Sequence, residues 1–434
     1  MAKSLSHITN DIIRPIEGRP NKYWYILFII SLAAFGFGLY YTWLTVFSGI
    51  GEWGLNRSVG WGWAIVNFVW WIGIGHAGTF ISAILLLFRQ KWRSSINRAA
   101  EAMTIIAIMC AAFFPLIHLG RMLLGFYVFP YLNTRNIWVN FNSPLLWDVF
   151  AILTYFIVSV LFFYIGLIPD LALLRDKSTK RIKSRFLRFF SFKWRGTFNQ
   201  WRNHTKVSLL LAGIATPLVI SVHSVVSLDF ATSIVPGWHS TIFPPYFVAG
   251  AILSGFAMVL TLVIIVRKAM SLERYITISH LESMGKIIIV TGTLVALAYI
   301  TEIFVTFYSN DEFEISTMLN RFTGPYAYGF YLMILFNLVV PQLFWIRKIR
   351  RNIIIIFLLS ILINVGMWFE RFIIVVTSLQ HGYMPSNWTI YHPTIADVAL
   401  FVGSMGFFLT LFLLFARFVP VVSIYEVKSQ EKED

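Results

Sequence analysis

His118 and Arg121 stand three residues apart in FFPLIHLGRMLLGFYVFPYLN, an otherwise apolar stretch at residues 113–133, and share one face if that stretch is helical. Two cations cannot satisfy each other, so a carboxylate should lie near. Asp148 of SPLLWDVF is the nearest in sequence, and His118 beside it would make a base able to take a proton near neutral pH. Other ionisable groups stand in apolar stretches too: His76 in WWIGIGHAGTFIS, His223 and Asp229 in ISVHSVVSLDF, Glu302 in YITEIF, and the neighbours Glu370 and Arg371 in MWFERF. Each would cost about 2.5–3.5 kcal/mol unpaired at the centre of a membrane helix. Glu370 and Arg371 project about 100° apart on a helix, so they are expected to pair with other helices. The bland reading of every such group is a hydrogen bond between packed helices, and for His76 in its Gly-rich stretch that reading comes first. His239, His381 and His392 read as loop contacts.

These groups must be held by membrane-spanning helices. The chain has 434 residues, 58% hydrophobic and 13% charged, a balance far from that of a soluble domain. A spanning helix needs about 20 apolar residues, and ten such runs are predicted, near 24–46, 63–88, 100–127, 144–168, 207–231, 245–266, 287–308, 325–346, 353–380 and 397–418. The first lacks a small-residue cleavage site and reads as an uncleaved helix.

The 35 Lys and Arg place these spans in order. When segments alternate between the two sides, all but Arg57, Arg135, Arg321, Arg121 and Arg371 fall on the side that holds both ends of the chain. By the positive-inside pattern that side is the cytoplasm. The net charge of +15 therefore faces anionic lipid headgroups and not nucleic acid. RIKSRFLRFFSFKWRGTFNQWRNHTK, residues 181–206, interleaves basic and aromatic residues and reads as an interfacial segment, with docking of a cytoplasmic partner as the sharper alternative.

A weak repeat relates RAAEAMTII (98–106) to SHLESMGKI (279–287), with Glu101 matching Glu282 and Pro144 matching Pro325. The expected organisation is all-α: residues 1–62 with the first span, a four-helix unit at 63–232 with a basic loop at 170–206, a second at 233–380, and the last span with a tail at 381–434. Depth along the spans puts His118, Asp148, His223, Asp229, Glu302 and Arg371 in the non-cytoplasmic half, which suggests a site opening to the outer surface. One cysteine, Cys110, excludes an iron–sulfur cluster, a structural zinc site or an internal disulfide in this chain, and no phosphate loop, dinucleotide fingerprint or HExxH is present. Any redox centre must be borrowed.

HAGTFISAILLLFRQKWRSSINRAAEAMTI, FFPLIHLGRM and SPLLWDVFAILTYF resemble the membrane subunits of the polysulfide reductase, NrfD-like family, and within it the quinol-oxidising ActC subunits of bacterial alternative complex III. The resemblance covers nearly the whole chain. It implies a multi-pass subunit of the bacterial cytoplasmic (inner) membrane that oxidises quinol, specifically menaquinol, near the outer surface. Electrons would pass to a periplasmic iron–sulfur subunit and through multihaem c-type cytochromes toward a terminal oxidase, beside a homologous NrfD-like membrane subunit. It also implies His118 and Asp148 as the catalytic pair, carried by PLIHLGR and PLLWD, with Arg371 nearby through WFERF; Arg121 and Gly78 are further substrate-binding candidates. Quinol oxidation releases two protons, and His76, His223, Asp229, Glu302 and Glu370 could form a path for them; no residue is assigned to a metal. Three readings compete: a secondary transporter using the same repeats and charges, a di-haem cytochrome b with His118 and His223 as ligands, and a noncatalytic ActF-like paralogue.

Overall fold

The computed structural model describes residues 5–128, 139–178 and 181–433, so Arg135 lies outside the described residues. Among the described residues, ten helices are long and apolar enough to cross a membrane: α2 (Lys22–Ser48), α3 (Trp63–Leu87), α4 (Asn97–His118), α5 (Pro144–Lys177), α7 (Phe198–Ala231), α8 (Phe243–Ala269), α9 (Ile278–Ser309), α11 (Ala327–Trp345), α12 (Ile353–Gln380) and α13 (Ile395–Phe418). Shorter helices lie between or beside them, among them α1 (Leu5–Glu17), α6 (Arg181–Phe190), α10 (Glu312–Thr323) and α14 (Ile424–Glu433). No strand occurs among the described residues, as expected where hydrocarbon leaves the backbone only its own partners.

α3 is the central helix. It packs on α4 and α8, α5 packs on α7, and α8 packs on α9 and α12. Gly78 shows how close the first of these crossings is, since a Cβ there would collide with Thr104 Oγ1 and the Ala100 carbonyl on α4. Gly78 is therefore a helix-contact position, not the substrate-facing one expected. Gly78→Val is expected to cost about 3 kcal/mol, the upper end for overpacking, read as lost thermal stability of the purified chain. Gly36→Val on α2, where nothing lies within 4 Å, should leave stability unchanged.

α2 buries only Ser31, Gly38 and Thr45, a seven-residue spacing that makes one narrow stripe. That stripe meets α13, with Gly38 against Gly403 and Ser31 Oγ accepting from Thr410 Oγ1 at 3.0 Å. Small residues allow this approach where lipid supplies no hydrophobic drive. At the opposite end of the sequence α14 packs on α1, and Arg417 donates to the Pro15 and Gly18 carbonyls at 2.6 Å each. Both ends of the chain thus share one membrane face, called the termini face below.

Candidate functional site

At the far face, α4 ends earlier than its apolar content suggests. Gly120 has φ +71°, and the Leu119 and Gly120 N–H groups donate to Pro115 and Ile117 carbonyls at 3.2 Å each, a left-handed helix stop that glycine favours. Arg121 consequently falls beyond the helix and is exposed, so it does not share a helical face with His118. The His118 ring, half-buried, stacks on Trp53 with centroids 5.8 Å apart, and Trp53 Nε1 donates to Thr45 Oγ1 at 3.0 Å. His118 Nδ1 has no hydrogen-bond partner.

Asp148, in the second turn of α5, meets Asp229, near the end of α7, carboxyl to carboxyl. No hydrogen bond or ion pair joins Asp148 to His118 among the described residues. The packing of α5 along α7 decides the pairing, because it brings the start of one helix to the end of the other. Two carboxyls in contact away from water are stable when they share one proton. Oδ1 of each is buried without a hydrogen-bond partner, and α4, which ends at His118, packs on α5.

A second assembly begins deeper. His76 and His223 meet edge to face with ring centroids 4.5 Å apart, and His76 Nδ1 donates to the Ile72 carbonyl at 2.7 Å. Both nitrogens of His223 are buried and unpartnered. Phe247 lies against His223 at 5.9 Å, and on its ring rests the Arg371 guanidinium, 4.2 Å from the centroid.

Arg371 Nη1 touches Glu370 Oε1 at 2.7 Å, so these sequence neighbours pair with each other as well as with other helices. The long arginine side chain folds back over Phe247 and spans the angle between them. Glu370 also accepts from the Tyr299 hydroxyl and from Asn337 Nδ2 at 3.3 Å, and Asn337 donates to Tyr299 at 3.0 Å. Asn337 lies inside a π-helical turn, Leu335–Val339, and a second such turn, Ile373–Thr377, follows Arg371 closely. The extra residue in a π turn re-aims side chains and often marks a functional site.

Toward the far face, Glu302 is held by Arg321 Nη1 at 2.7 Å. Arg321 also donates to the Gly237 carbonyl and to Ser378 Oγ, both at 3.1 Å. The pair forms the floor of a cleft of about 560 Å³ that His239, Asp311 and Glu314 also line. Burial lifts the Glu314 carboxyl above the usual carboxylate range, although it accepts a hydrogen bond from the Gly237 N–H at 2.9 Å.

Toward the termini face, Tyr155 approaches His76 with centroids 5.3 Å apart, and its hydroxyl bonds Thr79 Oγ1 at 2.8 Å. A small cavity lined by Thr79, Ser159, Thr104 and Glu101 continues from there. Glu101 lies 3.5 Å from Arg98, which reaches Asp170 at 3.3 Å and donates to the Phe163 and Gly166 carbonyls at 3.2 and 2.6 Å. Buried polar groups thus follow one another from Glu302 to Asp170. Tyr155, Tyr299, Asn337, Arg98, Asp170 and Arg321 are members that sequence reasoning did not assign. Arg98, Asp170 and Arg321 fall in segments that read as loops, and a tyrosine or asparagine in a span carries no charge to flag it.

The sequence model of the family described as "Polysulphide reductase, NrfD" matches residues 51–381. The chain is similar to a putative dimethyl sulfoxide reductase membrane subunit of Halobacterium salinarum, 23% identical over 430 residues that cover 91% of this chain and 89% of that protein. It is also similar to a selenate reductase subunit of Mesobacillus selenatarsenatis, 22% identical over 385 residues that cover 85% of this chain and 87% of that protein.

Proposed function

The chain belongs to the polysulphide reductase NrfD family, and from that premise we propose that it is the quinol-oxidising membrane subunit of a respiratory oxidoreductase complex in the bacterial cytoplasmic membrane. The observation that carries the reading is the Asp148–Asp229 carboxyl pair at the far-face ends of α5 and α7, with His118 closing the helix α4 that packs on α5, all three keeping buried polar atoms without a hydrogen-bond partner. A quinol offers two hydroxyl protons and an apolar body. Its oxidation releases two electrons and two protons, and a positioned base accelerates such proton removal by about 10²–10⁴-fold.

In this reading His118 and the aspartate pair take the protons, and the electrons leave to an iron–sulfur subunit seated on the far face, which is the periplasmic one. The two named relatives are subunits of reductases, which supports a catalytic reductase beyond that subunit. The alternative complex III arrangement, with multihaem c-type cytochromes, a second NrfD-like membrane subunit and an oxidase, keeps the same chemistry in this chain. Menaquinol suits either assembly.

Its isoprenoid tail has a fitting seat. An apolar cavity of about 240 Å³ between α2, α4 and α13 is lined by Leu39, Met109, Phe113, Leu400 and Phe407. At 1.5 Å rise per residue, Phe113 lies only about 7 Å along α4 from His118. The proton path continues from the carboxyl pair toward His223 and His76, and the buried chain from Glu302 to Asp170 supports movement of protons across the membrane.

Titration of the purified chain with a redox-inactive naphthoquinone bearing a prenyl tail, followed by tryptophan quenching, tests the proposal. Saturable binding is expected, weakened about tenfold by His118→Phe, one lost hydrogen bond to a charged or polarised group. A secondary transporter would show no binding to such a compound.

A further inference from the structure

The termini face holds a cavity of about 570 Å³ walled by the end of α5, the turn after α6, the start of α7 and α14. Three cations line it, Lys177, Arg195 and Lys428. The two carboxylates in the same wall are already engaged, Asp176 by Arg175 at 2.7 Å and Asp170 by Arg98 and the Ile424 and Tyr425 N–H groups. Lys177 also donates to Asn10 Oδ1, a neutral group that leaves its charge in place, so Lys177 and Arg195 make this wall complementary to an anion.

Its wall is built, not loose. Phe192, Lys193 and Gly196 adopt left-handed backbone at φ 43°, 53° and 72°, Arg175 holds the turn through Ser191 Oγ at 3.2 Å and the Trp194 carbonyl at 2.9 Å, and Gln200 Oε1 accepts from the Arg195 N–H at 2.9 Å. Trp194 and Trp201 close one side, edge to face at 5.1 Å.

Alongside the cavity, Phe186, Phe189, Phe192 and Phe198 are 63%, 76%, 70% and 79% exposed, interleaved with exposed Arg185, Arg188, Lys193 and Arg195. Such phenylalanines would be a liability in water, and with arginines between them they belong at the boundary of headgroups and acyl chains. Basic pockets beside spanning helices on this kind of face suit phosphodiester headgroups.

We infer that this cavity is a headgroup site for one anionic phospholipid, with Lys177 and Arg195 on its phosphate and its acyl chains along the phenylalanines of the α6 turn. The site stands whether or not quinol is the substrate, since it includes none of His118, Asp148 and Asp229.

The test is native mass spectrometry of the full chain taken from mild detergent and exchanged against phosphatidylglycerol or phosphatidylcholine. Wild type should retain phosphatidylglycerol in preference to phosphatidylcholine, and Lys177→Gln with Arg195→Gln should lower its occupancy affinity about 25-fold, at about fivefold per cation removed. Lys177→Arg with Arg195→Lys should keep it, which separates loss of charge from loss of fold. Equal retention of the two lipids, unchanged affinity in the double glutamine variant, or displacement by millimolar inorganic phosphate would each overturn the assignment, the last by showing a small-anion site.

Discussion

A complex assembled with Asp148→Asn is expected to lose quinol-dependent electron transfer by about 10²–10⁴-fold, the usual contribution of a positioned base. Asparagine matches aspartate in size, so packing of α5 on α7 should persist, and assembly is checked by co-purification of the partner subunits. What asparagine cannot do is accept the proton. Because Asp148 touches Asp229, the two act as one unit, and Asp229→Asn should lose a comparable amount. The double variant should then be little worse than either single one, since residues that work together are strongly non-additive. Wild-type turnover in an assembled Asp148→Asn complex would remove the carboxyl pair from the quinol site and leave it as helix contact. Additive losses would instead mean two separate proton acceptors.

The Glu370–Arg371 pair carries the largest expected effect on stability. Arg371 is 2% exposed and Glu370 fully buried, so Glu370→Leu would strand a guanidinium in apolar surroundings. Breaking a buried pair from one side costs about 3–5 kcal/mol. The Phe247 ring beneath Arg371 recovers at most about 2 kcal/mol of that. Replacing both partners, as Glu370→Leu with Arg371→Met, should restore most of the thermal stability. A Glu370→Leu chain as stable as wild type in a detergent melting series would show that water or another carboxylate reaches Arg371. A double variant that stays as unstable as the single would place the cost in packing around Asn337 and Tyr299.

Both predictions depend on pairings that were only partly legible beforehand. The ionisable residues themselves stood out because charge inside an apolar run is costly, and all of those named in the spans, Arg121 apart, lie on a described helix. His118 was legible as a histidine in an apolar stretch, and it closes α4. Its neighbour was not: Asp148 is nearest in sequence, but helix packing sets it against Asp229 instead. Arg121 looked helical because the apolar run continues past it, whereas Gly120 ends the helix, and hydropathy carries no record of backbone turn. Arg321 looked like a loop cation because α10 is short, yet it reaches back to Glu302.

The sequence by itself determined the all-helical, ten-span architecture and the gathering of basic residues toward one membrane face, because a bilayer core imposes length and polarity segment by segment. It also ruled out an iron–sulfur cluster held by cysteines of this chain, since Cys110 is the single one. Only the tertiary structure decided which polar groups meet. The His76–His223 contact, the Asp148–Asp229 pair and the chain through Tyr299, Asn337 and Arg98 depend on helix rotation, on π turns and on small residues such as Gly78 and Gly38. Those set distances of a few ångströms between segments far apart in sequence, and no local pattern encodes them.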